Sequence, residues 1–222
     1  MDDQPGRRAV RATYERIASH FAQTRAYPWP EVESFVAESP EAEIALDLGC
    51  GNGRHVPVLG EAADRVLGLD ASRNLLAEAA ADLDDAEGVD FELLQGDASR
   101  LPIAAGTVGL AVYVATIHHL PDRESRLASL DELARVLGPD GRALVSAWST
   151  AHDRFDADPE AENGFDTTVD WTLPDGAVVD RFYHIYSPPE FRRDLEASAL
   201  TVDDVRVSSG NCYAEVTGRA KV

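Results

Sequence analysis

The stretch that most constrains the fold is 44–53, Ile-Ala-Leu-Asp-Leu-Gly-Cys-Gly-Asn-Gly, where a short apolar run meets three glycines at alternate positions. The run predicts a buried parallel strand, and Gly49, Gly51 and Gly53 predict the turn after it. Glycine lets the backbone adopt a positive φ and lie close against a ligand. Open α/β folds bind ligands at the carboxyl ends of their strands, so we expect a ligand site here rather than a plain strand-to-helix turn. Asp47, at the strand end, could accept from an ammonium group of that ligand.

Two kinds of nucleotide ligand compete for such a turn. The dinucleotide pattern G-x-G-x-x-G would need a glycine at position 54, which is Arg54. The spacing G-x-G-x-G with an acid two residues upstream resembles instead motif I of the class I S-adenosylmethionine (AdoMet) methyltransferases. AdoMet has no pyrophosphate, so a helix N-terminus that cradles phosphate is not required. The resemblance therefore implies AdoMet as the cofactor.

A second acid follows the next predicted strand, 66–70. Asp70 lies 23 residues after Asp47, where a ribose-binding carboxylate belongs, because two ribose hydroxyls can donate to one carboxylate. The alternative is an N-cap for the helix predicted at 72–83, but Ser72 fits that role better. We therefore expect Asp70 to bind the ribose.

Later strand ends supply the remaining cofactor candidates. After a third predicted strand at 89–94, Asp97 can accept from the adenine amine and Ala98 can supply a backbone N–H; a plain surface turn is the alternative. Val114 ends the fourth predicted strand, 108–114. The loop that follows it, Ala-Thr-Ile-His-His-Leu at 115–120, is expected to face the transferable methyl group.

The pattern along the rest of the chain predicts one α/β domain over 1–222, a doubly wound, seven-stranded, mostly parallel sheet with a C-terminal antiparallel strand pair and an inserted hairpin. We divide it into N-terminal cap helices (7–38), a cofactor-binding core (44–148), an acidic loop and hairpin (149–186), and a closing helix with strands (187–217). Within the core and closing part we predict helices at 54–63, 123–137 and 188–199, a fifth strand at 142–148, hairpin strands at 168–173 and 177–186, and terminal strands at 201–207 and 212–217. Residues 149–166 are acidic and poor in aliphatics, which predicts a mobile loop.

The charge balance is extreme. Forty acids against twenty bases give a formal net charge of −20, and Lys221 is the only lysine. Such a surface resembles proteins of salt-accumulating halophiles, in which concentrated salt screens the charge. The usual inference that an acidic protein avoids nucleic acid is therefore weak.

The first predicted helix, 7–24, is the most basic stretch, with Arg7, Arg8, Arg11 and Arg16. A solvated polar face is one interpretation of these arginines. A phosphate-contacting edge is the other, because they cluster within so acidic a chain.

The cysteine content and the length of the apolar stretches bear on metal binding and on location. Cys50 and Cys212 are too few for a disulfide framework or a zinc site and fall in apolar runs, so we expect core residues and no metal site. No apolar stretch approaches 18 residues and no signal peptide precedes Arg7. These features predict a cytoplasmic protein with no membrane association.

Several stretches outside motif I narrow the resemblance. They are Tyr-Glu-Arg-Ile-Ala-Ser-His-Phe-Ala-Gln-Thr-Arg at 14–25, Trp-Pro at 29–30, 114–119, Trp148 and Arg-Phe-Tyr-His-Ile-Tyr at 181–186. Together they resemble the tRNA wobble-uridine methyltransferases that esterify 5-carboxymethyluridine. This resemblance implies tRNA as substrate and, as in many members of that family, a small zinc-binding activator subunit as partner. The acidic segment 151–166 departs from the family pattern.

The implied chemistry makes modest demands. A carboxylate with a pKa near ~4 is ionised at neutral pH, so its esterification needs no general base. Arginine suits a carboxylate because its fork binds two oxygens, and Arg25 and Arg181 are the candidates. The alternative role for Arg25 is to hold the methionine carboxylate of AdoMet, and His118 is a candidate base for other acceptors. Trp29, Tyr183 and Tyr186 are candidates for stacking on a splayed base, though such aromatics also suit a core.

Two other functions fit the same motifs. One is a methyltransferase for a small metabolite, with the same fold and a closed pocket. The other is a non-catalytic AdoMet-binding scaffold subunit. Intact motif I, Asp70 and Asp97 argue against lost cofactor binding.

The charge balance yields the first testable prediction, that the protein needs high salt to stay folded. Repulsion among the acids falls as the Debye length shrinks, so the melting temperature should rise steadily from ~0.1 M to ~2 M KCl. Circular dichroism melting curves across this range measure it. A flat or falling melting temperature would contradict the halophile interpretation.

Overall fold

The computed structural model describes residues 6–84 and 88–218; Lys221 lies outside these ranges. Its main sheet has seven strands in the order β3-β2-β1-β4-β5-β9-β8. The first five run parallel, and β9 lies antiparallel between β5 and β8. The strands are β1 (Ala42–Leu48), β2 (Ala63–Asp70), β3 (Phe91–Gln95), β4 (Val108–Tyr113), β5 (Leu137–Trp148), β8 (Leu200–Ser208) and β9 (Asn211–Gly218). This arrangement confirms the predicted fold class.

Six α-helices and a separate two-stranded ribbon complete the described fold. The helices are α1 (Arg7–Gln23), α2 (Pro30–Ala37), α3 (Val56–Gly60), α4 (Arg73–Leu83), α5 (Arg123–Val136) and α6 (Pro188–Ala197). The predicted hairpin is present as β6 (Phe165–Thr172) paired with β7 (Val178–Ile185). A short 3-10 helix, Ile117–His119, follows β4.

The core lies on both faces of the sheet because alternate residues of each strand point to opposite sides. On β1, Leu46 and Leu48 belong to a cluster with Leu130 and Leu133 of α5. Ala45 of the same strand belongs to the cluster on the other face. Cys50 and Cys212 are buried, as the composition predicted.

Some element boundaries differ from the prediction. Helix α3 covers only Val56–Gly60, because residues 61–62 lead directly into β2, which begins at Ala63 rather than at position 66. Strand β5 begins at Leu137, directly after α5, instead of at 142. A register shift between Val108 and Leu110 of β4 accommodates residues 138–141, so these form an irregular strand start and not a separate turn.

Glu132 and Arg135 fix the connection before β4. Glu132 accepts from the Leu101 amide at 2.6 Å, and Arg135 donates to the carbonyls of Leu101 and Ile103. The two side chains also pair with each other. They therefore clamp the loop after β3 to α5 and play a structural role.

The segment 149–164 contains no regular helix or strand. Phe155 packs on Trp148, and the Gly164 amide donates to Glu190 of α6 at 2.6 Å. His184 of β7 joins Asp166 to the same glutamate. The mobility predicted for this segment stays a prediction. No helix in the two described ranges is long and apolar enough to cross a membrane.

Candidate cofactor and acceptor site

The glycine turn follows β1 directly. Gly49, Gly51 and Gly53 all have positive φ, between 56° and 80°. A Cβ on Gly49 would lie 2.3 Å from the Thr116 side chain, so only glycine fits there. A Cβ on Gly51 would meet only Phe21, at 3.6 Å. The turn therefore presents bare backbone on its open side.

Asp70, at the end of β2, shapes this turn. Its carboxylate accepts from the Gly51 amide at 2.9 Å and from the Ser72 amide at 2.8 Å. Ser72 caps α4 by accepting from the Leu75 amide, as predicted. Burial raises the pKa of Asp70 above its ordinary value, and the amides of Ser72 and Gly51 oppose that shift.

A cavity of about 710 Å³ opens at the carboxyl ends of the parallel strands. Nine of the eleven predicted site residues line it: Arg25, Gly49, Gly51, Asp70, Asp97, Ala98, Val114, His118 and Arg181. Asp47 and Gly53 do not. Gly53 faces Ala79 and Leu83 of α4 instead.

Asp47 lies beneath the turn. It is 1% exposed, and its Oδ2 has no hydrogen-bond partner in the described ranges. Burial raises the pKa of Asp47 to about 7; Arg54 opposes this shift and Asp70 adds to it. His55, 3.8 Å away, is neutral because burial lowers its pKa to about 3. An ammonium contact by Asp47 stays a prediction.

Asp97 keeps both oxygens occupied. Oδ1 accepts from the Ser99 amide, and Oδ2 pairs with Arg7 of α1 at 2.8 Å. The side chain is nevertheless 48% exposed and borders the cavity. An adenine amine would share Oδ2 with Arg7, and Ala98 lies beside it.

The two predicted arginines flank one indole. Arg181 and Arg25 lie 4.6 and 5.5 Å from the Trp171 ring centre. Arg25 is tied to the glycine turn, since the Asn52 side chain donates to its carbonyl oxygen. Arg181 is 7% exposed and donates to the Tyr183 hydroxyl at 2.7 Å.

Arg181 forms no ion pair within residues 6–84 and 88–218. Its Nε is buried without a hydrogen-bond partner in the same ranges. A buried cation without a counter-charge is costly. The arrangement therefore suits an anionic ligand.

Both histidines of the loop after β4 are neutral. The Trp148 amide donates to Nδ1 of His118 at 2.8 Å, so the proton of that ring sits on Nε2. His119 donates from Nδ1 to the Phe182 carbonyl, and its Nε2 faces the Tyr14 hydroxyl at 2.8 Å. Burial lowers the pKa of His118 well below its usual range and that of His119 to about 3.

Three cavity residues escaped sequence reasoning. Tyr14 was named only within the stretch 14–25, His119 only within its loop, and Arg54 only to exclude a dinucleotide. Arg54 borders the cavity and lies 5.5 Å from the Trp29 ring centre. The basic residue beside a glycine turn was a usable signal, whereas the Tyr14–His119 contact joins residues 105 apart in the chain.

Of the three aromatic residues considered for stacking on a base, two line the cavity and one is in the core. Trp29 and Tyr183 line the cavity. For Tyr186 the structure supports the core alternative and not base stacking, because this side chain is fully buried and its hydroxyl donates to Asp194. It is a core residue.

The wall suits AdoMet by its chemistry. Bare turn backbone, the Asp70 and Asp97 carboxylates and nearby arginines offer partners for amine, hydroxyl and carboxylate groups. No cluster of three metal-ligating side chains occurs in the two described ranges.

Comparisons with known proteins also indicate a methyltransferase. A methyltransferase-domain family model matches residues 46–145. A candidate methyltransferase of Encephalitozoon cuniculi is 32% identical over 193 residues, covering 84% of this chain and 85% of that protein. The tRNA (carboxymethyluridine(34)-5-O)-methyltransferase of Schizosaccharomyces pombe is 25% identical, with 87% and 89% covered. That of Mus musculus is 36% identical over 140 residues, covering 63% of this chain.

Solved structures share the fold. The DhpI–SAH complex matches with a TM-score of 0.68 at 23% identity, covering 96% of this chain and 97% of that one. A complex of the Haloferax volcanii Trm112 methyltransferase activator with a candidate methyltransferase matches with a TM-score of 0.69 at 16% identity, covering 96% and 99%.

Sheet order, glycine turn and cavity define a class I AdoMet-dependent methyltransferase, and AdoMet is its cofactor. The chain spans only 20% of the length of the mouse relative. It belongs to the methyltransferase family of the E. cuniculi protein.

The ribose role of Asp70 is testable by substitution. Asp70→Ala should remove two charge-assisted hydrogen bonds to ribose hydroxyls, each worth roughly 1.5–3 kcal/mol, and weaken AdoMet binding at least tenfold. Calorimetry measures the affinity, and circular dichroism checks the fold. Asp64→Ala, an exposed acid at the start of the same strand, is the control. Unchanged affinity in a folded Asp70→Ala variant would rule out the ribose assignment.

Asp47 should make stability depend on pH. An unfolded Asp titrates near ~4, whereas burial raises the pKa of Asp47 to about 7 in the folded chain. Between these values the folded state holds a proton that the unfolded state has lost, so rising pH costs stability. From pH 5 to 8 the parent should lose roughly 2 to 3 kcal/mol relative to Asp47→Asn.

Denaturant unfolding at both pH values measures that difference. Asp64→Asn is the control: it keeps Asp47 and changes only an exposed side chain, so it should lose stability from pH 5 to 8 in parallel with the parent. Parallel stability curves for the parent and Asp47→Asn would contradict the raised pKa.

Proposed function

We propose that this chain esterifies the carboxylate of 5-carboxymethyluridine at the tRNA wobble position. The names of its relatives support this acceptor. The observation that carries the proposal is Arg181, a buried cation in the cavity wall with no counter-charge among the described residues. Its fork can bind both oxygens of a carboxylate.

The charge of the cavity wall supports an anionic acceptor. In a chain with a net charge of −20, the described wall has two acids, Asp70 and Asp97. It has six arginines: Arg7, Arg8, Arg11, Arg25, Arg54 and Arg181. Such a wall concentrates anions even though the protein as a whole repels them.

The two predicted arginines divide between cofactor and acceptor. Arg25 is tethered to the glycine turn through Asn52, which suits the methionine carboxylate of AdoMet. Arg181 projects from β7 beside Tyr183, whose ring also contacts His118 and His119 at 5.0 and 4.5 Å between ring centres. We assign the acceptor carboxylate to Arg181, with Tyr183 and Trp29 as candidate surfaces for the base.

The titration states favour an acceptor that needs no base. AdoMet supplies a methyl group on a sulfonium, and an ionised carboxylate takes it without losing a proton. His118 cannot accept a proton on Nδ1 while the Trp148 amide donates to it, and burial keeps the whole ring neutral. We therefore assign His118 to shaping the pocket, with its Nε2–H as a donor.

The proposal includes a partner and a location. A small zinc-binding activator subunit is supported by the complex of the Haloferax volcanii Trm112 activator with a methyltransferase of the same fold. The proposed location of the protein is the cytoplasm, which is consistent with a tRNA substrate.

Arg181 provides the test. Arg181→Met should lower the methylation rate about 100-fold through lost alignment, while AdoMet affinity stays within twofold of the parent. Arg181→Lys should recover part of the rate, because it keeps the charge without the fork. Arg25→Ala should instead weaken AdoMet binding. The rate at saturating AdoMet should stay flat from about pH 6 to 8, since no group in this step titrates there.

The assay uses tRNA from a strain that lacks the gene, with and without added activator subunit. Nucleoside analysis of that tRNA should show the free acid in place of the methyl ester. Arg192→Met, an exposed arginine on α6, is the matched control. An unchanged wobble uridine in the deletion strain would contradict the tRNA assignment and favour a small carboxylate metabolite.

A further inference from the structure

The exposed face of α1 carries cations that neither the cofactor nor the acceptor carboxylate uses. Arg8, Arg11 and Arg16 are exposed, in a helix with a single acid, Glu15. Arg8 and Arg16 form no ion pair in the described part of the chain, and Arg11 reaches Glu15 only at 3.4 Å. This face, which we call the α1 arginine face, is therefore largely free of counter-charge.

Glu15 does not neutralise it, because its carboxylate already binds another element. It accepts from the amides of Arg73 and Asn74 and from the Ser72 hydroxyl, at 3.0, 2.8 and 3.1 Å. Burial alone would raise the pKa of Glu15, but these hydrogen bonds outweigh it and leave that pKa below its ordinary value. The carboxylate thus serves as an anionic cap on the N-terminus of α4.

The α1 arginine face is continuous with the cavity. Arg8, Arg11 and Arg16 line an open groove together with Ala12, Glu15 and Asn74. Arg8 and Arg11 also border the cavity itself. An anion that follows the groove therefore arrives at the opening through which the acceptor enters.

One side of the cavity border leads into an acidic segment. Trp148 and His152 line the cavity, and the segment that follows them, 153–162, carries five acids and one arginine. A polyanion entering the cavity is drawn toward α1 and away from that segment.

From these observations we infer that the α1 arginine face binds the phosphates of the RNA strand adjoining the inserted nucleotide. The inference rests on the proposed function, since it requires an RNA acceptor. Arg8 and Arg16 are eight residues apart, about 12 Å along the helix, which matches three to four stacked nucleotides at ~3.4 Å each. Phosphate contacts position a strand without reading its sequence, so they suit an enzyme whose acceptor is read inside the cavity.

The salt dependence of tRNA binding tests this inference. The slope of log K against log[KCl] is negative, and each lost phosphate contact on a single strand should make it shallower by ~0.7. Arg16→Gln, which lies outside the cavity, should show that change and leave AdoMet affinity unaltered. Arg8→Gln/Arg16→Gln should make the slope shallower by ~1.4 and raise the KM for tRNA. Binding is measured over KCl concentrations at which circular dichroism shows every variant folded.

The control is Arg65→Gln/Arg192→Gln, which removes two exposed arginines elsewhere and changes the net charge equally. It should bind tRNA with the slope of the parent. Free 5-carboxymethyluridine nucleoside, too short to reach α1, should be methylated equally by the parent and Arg16→Gln.

Each result has one meaning. If the parent methylates tRNA and the α1 variants keep its slope and KM, the α1 inference fails and the proposed function stands. If the control variant changes the salt slope and the KM for tRNA as much as the α1 variants do, net charge explains the effect and the inference fails. If the parent neither binds nor methylates tRNA, both fail.

Discussion

The site depends on one carboxylate, Asp70, which joins the ends of β1 and β2. By accepting from the amides of Gly51 and Ser72, it fixes the glycine turn and the start of α4 together. Glu15 of α1 binds the same α4 terminus, so the cap helix is anchored to the cofactor turn. The part-buried Asp70 carboxylate therefore holds two elements directly and α1 through the α4 terminus, and its removal would leave the amides of Gly51 and Ser72 without these acceptors.

The residue before Glu15 on α1, Tyr14, contacts a different part of the site. The Tyr14 hydroxyl donates to His119, and His119 donates to the Phe182 carbonyl in β7, the strand that carries Arg181. Neighbouring positions of one helix thus connect cofactor turn and acceptor cation. This explains why the inserted ribbon, which lies outside the main sheet, can position a site residue. A displacement of α1 that moves Tyr14 and Glu15 should therefore affect both the glycine turn and the Arg181 side of the cavity.

Local patterns predicted what depends on local physics. The strand-end acids and the glycines at alternate positions located the cofactor turn, because parallel strands bring their carboxyl ends to one edge. The start of β5 could not be predicted, since its pairing with β4 already begins at Leu137, and tertiary pairing of this kind overrides local propensity. Tyr186 and the pairing of Asp97 with Arg7 depend on long-range packing, which sequence spacing does not encode.

The titration states of the acceptor side follow from burial. Burial keeps His118 and His119 neutral and raises the pKa of Tyr14 well above its usual range, so none of the three is an anion at neutral pH. Arg181 supplies the guanidinium group on this side, while both acids of the described wall, Asp70 and Asp97, lie at or just after strand ends on the side of the glycine turn. A positive cofactor and a buried cation repel each other unless a negative group lies between them. In the proposed reaction, the acceptor carboxylate is that negative group.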